Sequence, residues 1–415
     1  MKIALASYGS RGDVEPCVAI GRELQRRGHD VRMAAPPDLA GFVNSAGLAA
    51  VPYGPDVQSI LGAHREFWTF FFRNFWRVRQ VIQMRREVAN PVLQRWDEIG
   101  ATLATLGDWA DVLVTGLNFE QLAANVAERY RIPLATVHLF PVRANSQFLS
   151  FLPAALGRLT MQAYEWLGWR AAKRLDDTQR RELGLPKATG PLPQRIEERG
   201  WLEIQAYDGA CFPGLAAEWD LDGRRPFVGA LVLDLPGAAD DEVAAWISSG
   251  TPPIFFGFGS LPVSSPADTL EMISSVCAQL GERALVCAAG TDFTDVSPPE
   301  HVKVVDTMNY AAAFPNCRAL VHHGGTGTTA IGLRAGVPTL VLSTDIDQTV
   351  WGARVKRLRV GTTRRLSRTT HESLVADLRT ILAPEYADRA HDFAIRMTRP
   401  AGSVSTATDL VERLA

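Results

Sequence analysis

The sequence predicts an α/β protein made of two doubly wound halves, and three observations lead to this fold class. Short apolar runs alternate with helical patterns in both halves, glycine-rich loops follow strands, and a polar stretch at 220–226 separates the halves. Strands that alternate with helices form parallel sheets. The length of 415 residues also fits two to three domains. We therefore predict domains at 1–219 and 227–400, with a helix at 401–415 packing back on the first.

The composition excludes several classes of protein. Hydrophobic residues make up 47% of the chain and charged residues 21%, so a mainly disordered chain is excluded. The net charge of −2 gives no reason to expect a nucleic-acid partner. No apolar run is long enough to predict a transmembrane helix. Five scattered cysteines without a CxxC pattern favour a reducing cytoplasm over a disulfide framework or zinc cluster.

The first half opens with a strand, a loop, a helix and a second strand. Residues 2–7 are apolar and predict a strand, and residues 8–15 carry the glycines of a loop. Pro16 fits the first turn of a helix, where its missing N–H costs nothing, and Gly28 fits the position after its end. Further strands are predicted at 31–35, 112–114 and 134–137, and helices with loops over 151–205.

The second half repeats the same alternation. A helix is expected between the glycine-rich loop at 322–329 and Gly336, and Thr369-x-x-Glu372 is a capping-box pattern ahead of another. Strands are predicted at 253–256, 284–287, 302–305, 320–321 and 338–342.

The strongest local signal for chemistry is the segment His322-His323-Gly324-Gly325-Thr326-Gly327-Thr328-Thr329. A strand that ends in glycines before a helix directs backbone N–H groups and a helix N-terminus at one point, which suits a phosphate. His323 adds a hydrogen bond or a positive charge. The alternative is a tight turn that needs glycine for steric reasons alone, and the number of polar side chains favours phosphate.

The same segment fits a second interpretation. Gly325-x-Gly327-x-x-Ala330 matches the dinucleotide fingerprint, and Asp345 and Asp347 follow about twenty residues later, where a ribose-binding acid belongs. An NAD(P)-dependent oxidoreductase is therefore an alternative, although the motif lies in the last third of the chain. Asp345-Ile346-Asp347 also has the DxD form of metal–nucleotide sites, for which the alternative is a solvated loop.

Asp13 is the candidate catalytic carboxylate of the first half. It follows the first predicted strand, at the carboxyl edge of the sheet, where open α/β folds bind ligands. A carboxylate at this edge can act as a general base. The alternative is that Asp13 caps a helix that begins at Pro16.

Four motifs occur in order between residue 9 and residue 348. They are Gly9-Ser10-Arg11-Gly12-Asp13-x-x-Pro16, Gly257-Phe258-Gly259-Ser260, the 322–329 segment with Ala335-Gly336-Val337-Pro338, and Asp347-Gln348. Together they resemble the inverting glycosyltransferases of family 1 with the GT-B fold. The similarity is greatest to glycopeptide-antibiotic and mycobacterial glycopeptidolipid glycosyltransferases, and sterol glucosyltransferases share the first motif. The resemblance implies two Rossmann-like domains facing across a cleft.

The resemblance also implies roles for individual residues. Asp13 would remove the proton of an acceptor hydroxyl bound by the first domain. The donor phosphates would contact Arg11, Ser260, His323, Gly325, Gly327 and Thr328. Asp347 and Gln348 would hold the sugar hydroxyls, and the nucleobase would lie at Met308 and Asn309, although Asn309 fits the family pattern only in part.

The implied reaction is inverting transfer of a sugar from a nucleoside diphosphate, dTDP or UDP, to an acceptor hydroxyl. The resemblance suggests a deoxyhexose such as rhamnose, and a hydrophobic natural product, lipopeptide or glycolipid as acceptor. No metal or other cofactor is expected, because a helix N-terminus, His and Arg would stabilise the leaving diphosphate. The same motifs would also fit a non-catalytic nucleotide- or lipid-binding relative, or a GT-B sugar-nucleotide epimerase.

An unusual aromatic segment precedes a group of arginines in the first half. Its members are Phe67, Trp68, Phe71, Phe72, Phe75 and Trp76. The segment predicts a buried helix, an apolar acceptor mouth or a patch that touches a membrane, and the neighbouring arginines favour an interfacial helix. The basic run at 354–368 is interpreted as a solvated helix face. We expect a cytoplasmic enzyme with peripheral contact to the inner membrane.

Overall fold

Two six-stranded parallel sheets with flanking helices confirm the predicted α/β class. The structure is a computed structural model. It describes residues 1–74, 76–148, 152–219, 223–233, 235–257, 265–289, 291, 293 and 298–414.

The first sheet has the strand order β3-β2-β1-β4-β5-β6. Its strands are β1 (Lys2–Ala6), β2 (Asp30–Ala35), β3 (Ala50–Pro52), β4 (Val112–Gly116), β5 (Leu134–His138) and β6 (Leu202–Gln205). β1 pairs with both β2 and β4, so the strand order reverses between β1 and β4. Such a switch point, at the carboxyl ends of the strands, is where doubly wound sheets bind ligands.

The second sheet repeats this plan in the order β12-β11-β10-β7-β8-β9. Its strands are β7 (Ile254–Gly257), β8 (Ala284–Cys287), β9 (Val302–Val305), β10 (Ala319–His322), β11 (Thr339–Ser343) and β12 (Gly361–Arg365). The switch point lies between β7 and β10, where His322 is in register with Gly257.

The helices connect successive strands and cover the sheets. Those that precede β7 are α1 (Arg11–Arg26), α2 (Ala40–Ser45), α3 (Gln58–Asn74), α4 (Val78–Gln94), α5 (Trp96–Trp109), α6 (Glu120–Tyr130), α7 (Ala154–Glu182), α8 (Leu192–Arg199), α9 (Pro213–Trp219) and α10 (Asp240–Ser248). Those that follow are α11 (Pro266–Leu280), α12 (Tyr310–Ala313), α13 (Thr326–Ala335), α14 (Ile346–Leu358), α15 (His371–Ile381), α16 (Pro384–Ala394) and α17 (Pro400–Glu412). Among the described residues, no helix is both long and apolar enough to cross a membrane.

The chain divides into two compact units. The first unit contains residues 1–60, 86–233 and 398–415, and the second contains 61–85 and 234–397. Residues 61–85 therefore group with the second unit, whereas the predicted limits put them in the first domain. Helix α17 belongs to the first unit, where Ala407 and Val411 are fully buried in the core.

Several predicted elements differ from the observed ones. Helix α1 begins at Arg11, five residues before Pro16, which lies inside it. Strands β3, β6 and β12 were not predicted, because β3 is three residues long and the other two carry charged residues. Glu203 of β6 is buried through ion pairs with arginines, and Arg364 of β12 pairs with Asp377. The basic run at 354–368 is thus not one helix face.

Candidate active site

Asp13 is held by the N-terminus of α1. Ser10 is the N-cap residue, and Asp13 Oδ2 accepts hydrogen bonds from the Ser10 backbone N–H at 2.8 Å and from Ser10 Oγ at 2.9 Å. This is a capping box, so the interpretation of Asp13 as the N-cap of a helix starting at Pro16 is wrong. The half-buried carboxylate is fixed at the switch point of the first sheet.

Gly9 makes room for this carboxylate. Its φ is +132°, and a Cβ atom at this position would lie 2.4 Å from Asp13 Oδ2. The backbone carbonyl of Asp13 also accepts a hydrogen bond from Ser7 Oγ at 2.8 Å. The loop after β1 therefore positions Asp13 through both its backbone and its side chain.

An aromatic group that no sequence pattern predicted lies at the carboxyl edge of the first sheet, with one member, Trp96, at the start of α5. The ring of Phe119, after β4, is 4.8 Å from that of Tyr8, 5.5 Å from that of Tyr53 and 6.4 Å from that of Trp96. Phe119 has a φ of +65°, a strained conformation that is common at functional sites. These residues are far apart in sequence, and only the strand order brings them together.

This aromatic group contains polar atoms that its own structure does not satisfy. The hydroxyls of Tyr8 and Tyr53 and Nε1 of Trp96 are buried and have no hydrogen-bond partner among the described residues. Burial raises the pKa of both tyrosines, so their hydroxyls remain protonated donors at neutral pH. The group therefore combines an apolar surface with several available donors.

Arg11, predicted to contact the donor phosphates, is engaged within the first unit. Its Nε lies 3.2 Å from Oε2 of Glu15, and its guanidinium lies 4.5 Å from the centre of the Phe42 ring. Half of the side chain remains exposed, at 50%.

In the second unit, the 322–329 segment runs from β10 into α13. Gly325 is the N-cap of α13, and no acidic residue occupies the first turn, so the helix N-terminus has no negative side chain of its own. Thr329 Oγ1 donates to the carbonyl of Gly325, and Trp351 Nε1 donates to Thr326 Oγ1. Thr328 is half-exposed beside Gly327. The predicted phosphate-binding residues Gly325, Gly327 and Thr328 thus share one helix start.

Two neutral imidazoles lie at this helix start. Nδ1 of His322 accepts a hydrogen bond from the Gly324 N–H at 3.0 Å, so the ring proton is on Nε2. His322 Nε2 and His323 Nδ1 are both buried with no partner in the described part of the chain. Burial and the neighbouring His323 lower the pKa of His322 to about 3. Of these two histidines, the sequence predicts phosphate binding only for His323.

His323 is close to a carboxylate. Burial lowers its pKa, while Asp347 and a hydrogen bond to the Gly257 backbone raise it. Gly325 leaves space for the imidazole, since a Cβ atom there would lie 2.6 Å from His323 Nε2. The structure therefore places His323, Gly325 and Asp347 close together.

The acid–glutamine pair lies at the start of α14, and its two members differ. The carbonyl oxygen of the Gln348 side chain accepts from the N–H and Oγ1 of Thr344, and its amide nitrogen donates to Asp345 Oδ2 at 3.1 Å. Gln348 is buried, and Asp345 is the N-cap of α14. Asp347 is half-buried and accepts no hydrogen bond from any described residue. Asp347 is thus the member of the pair that lies outside the hydrogen bonds joining Thr344, Asp345 and Gln348.

The predicted nucleobase region lies after β9. Asn309 is the N-cap of α12, where its Oδ1 accepts from the N–H of Ala311 at 2.9 Å and of Ala312 at 3.3 Å. Met308 packs against the core of the second unit. The other predicted donor contact, Ser260, lies outside the described residues, as does the rest of the Phe258-Gly259 loop.

The aromatic residues of α3 pack largely against one another. Phe67 is buried, Trp68 and Phe71 are half-buried, and each of the three rings contacts the other two. Trp68 Nε1 donates to His64 Nε2 at 3.1 Å, and burial lowers the pKa of His64 while Asp347 raises it. Trp76 is 63% exposed. The side chain of Phe72 and the whole of Phe75 lie outside the described residues.

A buried cluster in the first unit has the ligand types of a metal site. Ligand atoms of Glu120, His138 and Glu203 lie within 4.8 Å of one another. A guanidinium is already placed among them, because Arg143 Nη2 donates to Glu120 Oε1 at 2.6 Å and Arg143 Nε donates to Glu203. Arg143 thus supplies the positive charge, and the cluster is better described as an ion-pair network that anchors the loop after β5.

Comparison with known proteins identifies the family. Residues 3–149 match the glycosyltransferase family 28 N-terminal domain, and residues 272–414 match the C-terminal domain of proteins like erythromycin biosynthesis protein CIII. An uncharacterized glycosyltransferase of Mycobacterium tuberculosis is 55% identical over 100% of this chain and 99% of its own. The chain belongs to the GT-B glycosyltransferases. The vancomycin aglycone glucosyltransferase of Amycolatopsis orientalis is 28% identical over 98% of this chain and 94% of its own.

Solved structures show the same fold for this glycosyltransferase. The calicheamicin glycosyltransferase CalG4 superimposes with a TM-score of 0.69 at 20% identity, covering 100% of this chain and 98% of its own. VinC in complex with dTDP gives 0.64 at 16% identity, covering 100% and 99%. The spinosyn rhamnosyltransferase SpnG with spinosyn aglycone gives 0.66 at 16%, covering 98% and 100%.

Family membership confirms the predicted fold and enzyme class. It also replaces the alternative of an NAD(P)-dependent oxidoreductase, and the position of the glycine motif in the sheet explains why the fingerprint was misleading. A dinucleotide fingerprint follows the first strand of its sheet. Gly325-x-Gly327-x-x-Ala330 instead follows β10, which is the fourth strand of the second sheet in chain order.

Replacing Gly9 by Ala is expected to displace the Asp13 carboxylate. The added methyl group would overlap Oδ2, which we expect to cost about 1–3 kcal/mol of unfolding free energy. Urea unfolding measures this cost. Gly28→Ala is the control, because Gly28 also has a positive φ, +90°, but no atom lies within 4 Å of its Cβ position. Equal destabilisation by the two substitutions would show that the contact with Asp13 is unimportant.

The Glu120 network is expected to make the enzyme acid-sensitive. Burial opposes ionisation, but Arg143 and His138 lower the pKa of Glu120 from 4.5 to about 2. Between these values the unfolded chain binds a proton that the folded chain does not, so stability falls as pH drops from about 4.5 towards 2. Glu120→Gln should lower stability at pH 7 and flatten this dependence, as followed by urea unfolding across pH. Glu98→Gln, at a 58% exposed ion pair, should change neither.

Proposed function

We propose that this glycosyltransferase transfers a sugar from a nucleoside diphosphate to a hydroxyl of an apolar acceptor, with inversion and without a metal ion. The observation that carries the proposal is that each switch point holds one half of the required chemistry. The first sheet presents a fixed carboxylate, Asp13. The second presents a helix N-terminus with two imidazoles, His322 and His323.

The second unit has the features needed to hold a diphosphate. The first-turn N–H groups of α13 and the hydroxyl of Thr328 supply donors, and the helix dipole favours negative charge. The Nε2–H of His322 adds a buried donor, and Nδ1 of His323 adds a second one when that ring is protonated. Both hydrogen bonds would strengthen as charge develops on the leaving group. Because the protein supplies these donors itself, the proposal assigns no step to a metal. Asp347, beside His323, is the proposed contact for a sugar hydroxyl.

We propose dTDP as the nucleotide and a deoxyhexose as the sugar. VinC, which shares this fold, binds dTDP, and SpnG is a rhamnosyltransferase. UDP is the alternative nucleotide. The nucleobase is expected at the loop after β9. There the side-chain oxygen of Asn309 is already used to cap α12, so backbone groups would make most of the polar contacts with the nucleobase.

Asp13 is proposed to act as the general base. As the bond between the anomeric carbon and the diphosphate breaks, the acceptor oxygen forms a new bond to that carbon and gives its proton to Asp13. The nucleoside diphosphate leaves with the electron pair of the broken bond. Displacement from the face opposite the leaving group inverts the anomeric centre. The mechanism requires that acceptor and donor meet during turnover.

The acceptor is proposed to be apolar and to contain hydrogen-bond acceptors. Tyr8, Tyr53 and Phe119 follow strands β1, β3 and β4 at the carboxyl edge of the first sheet, the edge at which Asp13 lies. Their rings lie close together, and the ring of Trp96 at the start of α5 lies beside that of Phe119. Its buried hydroxyl and indole donors have no partner among the described residues, and oxygen atoms of an acceptor would satisfy them. A glycosylated natural product, lipopeptide or glycolipid has this combination of apolar surface and oxygen atoms.

The proposed location is the cytoplasm. All five cysteines are free and buried, which suits a reducing compartment. None of them is placed to serve as an exposed reactive thiol.

Asp13→Asn is expected to separate catalysis from binding. The amide keeps the shape of the carboxylate but cannot accept a proton, so turnover should fall on the order of 10²-fold or more. Affinity for dTDP should be unchanged. The assay follows release of dTDP or UDP with a panel of apolar hydroxyl acceptors. Ser10→Ala, which removes one hydrogen bond to Asp13 and keeps the carboxylate, should retain most turnover. Near-normal turnover of Asp13→Asn would exclude this residue as the base.

His323→Gln and His322→Gln are expected to weaken dTDP binding by about 1–3 kcal/mol each, the value of a hydrogen bond to a charged group. The pKa of His323 is lowered in the free enzyme, and a bound diphosphate favours its charged form. Binding should therefore take up a proton, and affinity should rise as pH falls. Calorimetry in buffers of different ionisation enthalpy measures this uptake.

The control for the histidine experiment is His391→Gln, at an exposed position of α16. It should bind dTDP and take up protons as the unmodified enzyme does. Unchanged dTDP affinity in both His322→Gln and His323→Gln would remove the imidazoles from the donor site. Tight binding of NAD in place of dTDP and UDP would contradict the proposed function as a whole.

A further inference from the structure

Helix α7 has one side against the first unit and the opposite side in solvent. The helix runs over 29 residues, Ala154–Glu182, or about 43 Å. Gly157, Met161, Asp176 and Arg180 are buried along one side. A turn of 100° per residue places these four within an arc of about 140°. The other side of residues 154–175 is exposed.

The buried side is firmly attached at its C-terminal end. Asn125 Nδ2 donates to Asp176 Oδ1 at 2.8 Å and to Gln179 Oε1 at 2.7 Å. Arg180 forms two hydrogen bonds of 2.9 Å with the carboxylate of Glu128. Nearer the N-terminal end, Glu165 accepts from the Ala144 N–H at 2.8 Å. These contacts fix the rotation of α7, so the opposite face is held towards solvent.

This outer face is strongly apolar over its first half. Its members, with their exposed fractions, are Leu156 (49%), Leu159 (60%), Tyr164 (77%), Trp166 (49%) and Leu167 (60%). At 100° per residue they fall within an arc of about 160° on the side opposite Met161. We call these five residues the α7 face. Five large apolar side chains exposed on one helix mark an interaction surface.

The charge next to the α7 face is positive. Arg170, Arg174 and Arg181 continue the same side of the helix and are exposed. The acidic residues of α7 lie elsewhere or are paired: Glu165 and Asp176 are on the buried side, and Asp177 pairs with Lys173 at 3.3 Å. The outer side of α7 is therefore apolar and then basic, without an unpaired carboxylate before Glu182.

We propose that the α7 face docks on an anionic lipid surface. Leucines and aromatic rings enter the boundary between headgroups and acyl chains, and arginines at the same level bind lipid phosphates. The positive charge favours this partner over a second copy of the chain, because the same side of α7 on a second copy offers these arginines no unpaired carboxylate before Glu182. The inference goes beyond sugar transfer and does not rest on it.

The lipid surface is thus assigned to α7 and not to α3. Three aromatic residues of α3, Phe67, Trp68 and Phe71, contact one another. These three and Phe70 are at least half-buried. A helix whose rings are already packed gains little from a bilayer. The α7 face instead leaves its rings and leucines in solvent, so burial in lipid would remove apolar surface from water.

Sedimentation of the full-length protein with lipid vesicles tests the proposal. The protein should bind vesicles of phosphatidylcholine with about one third phosphatidylglycerol, and bind pure phosphatidylcholine at least about tenfold more weakly. The double variant Leu159→Ser, Leu167→Ser should lose at least about tenfold in partitioning to the anionic vesicles. Ile395→Ser, at an isolated apolar side chain 73% exposed, is the matched control and should bind normally.

A second variant tests the charges. Arg170→Gln with Arg174→Gln should weaken binding to anionic vesicles and reduce its dependence on salt, while leaving binding to neutral vesicles unchanged. Circular dichroism and urea unfolding confirm that each variant is folded. Transfer of sugar to a soluble acceptor should be the same for all of them, so loss of lipid binding and loss of catalysis are separate readouts.

Three results would overturn the proposal. The first is absence of binding of the unmodified protein to anionic vesicles. The second is normal binding of the Leu159→Ser, Leu167→Ser variant. The third is a dimer, measured by light scattering, that this variant abolishes, because that would assign the α7 face to a second copy of the chain.

Discussion

The strand order is the constraint on which both candidate sites depend. In each sheet the chain moves outwards in one direction and then returns to the centre to continue in the other, so the order reverses between β1 and β4 and between β7 and β10. Within each of these strand pairs, the connections that follow the two strands run in opposite directions. The carboxyl edge between the two strands therefore stays open. Asp13 and Phe119 lie at one opening, and the His322–Gly327 loop lies at the other. A glycosyltransferase needs two binding sites, and the doubled topology supplies two equivalent positions.

The two switch points use a helix N-terminus in different ways. Helix α1 already has a carboxylate in its first turn, because Asp13 accepts the hydrogen bonds of its own N-cap, Ser10. Helix α13 begins at Gly325, with no capping side chain and no acid in its first turn. The first arrangement fixes a negative group that belongs to the protein, and the second leaves the positive end of the helix for a negative ligand. The two helix N-termini thus have opposite electrostatic roles. The side chain three residues after the N-cap sets the difference, since it is Asp13 in α1 and Thr328 in α13.

How much could be predicted depended on whether a feature is local in sequence. The glycine-rich loops, the first strands of both halves and the α/β class follow from short patterns, and the structure agrees with them. The start of α1 was misplaced because Pro16 was taken as a first-turn residue, whereas Ser10 and Asp13 cap the helix earlier. Tyr8, Trp96 and Phe119 have no common pattern, and only the topology brings their rings together. The inward orientation of the Gln348 side chain was also not predictable from a local pattern, because it depends on hydrogen bonds with Thr344 and Asp345.

The capping role of Asp13 and its proposed catalytic role support each other. The two donors of Ser10 stabilise negative charge on Oδ2, so the carboxylate is kept ready to accept a proton. A proton taken from an acceptor would weaken these hydrogen bonds and leave the start of α1 less well capped. In the proposed mechanism, restoring this cap would favour loss of that proton once the product has formed, and so would restore the base for the next cycle. In the proposed reaction a carboxylate suffices as the base, because the acceptor hydroxyl becomes strongly acidic as its oxygen bonds to the anomeric carbon. Gly9 serves both roles, because a larger residue would displace the oxygen that caps the helix and that we propose receives the proton.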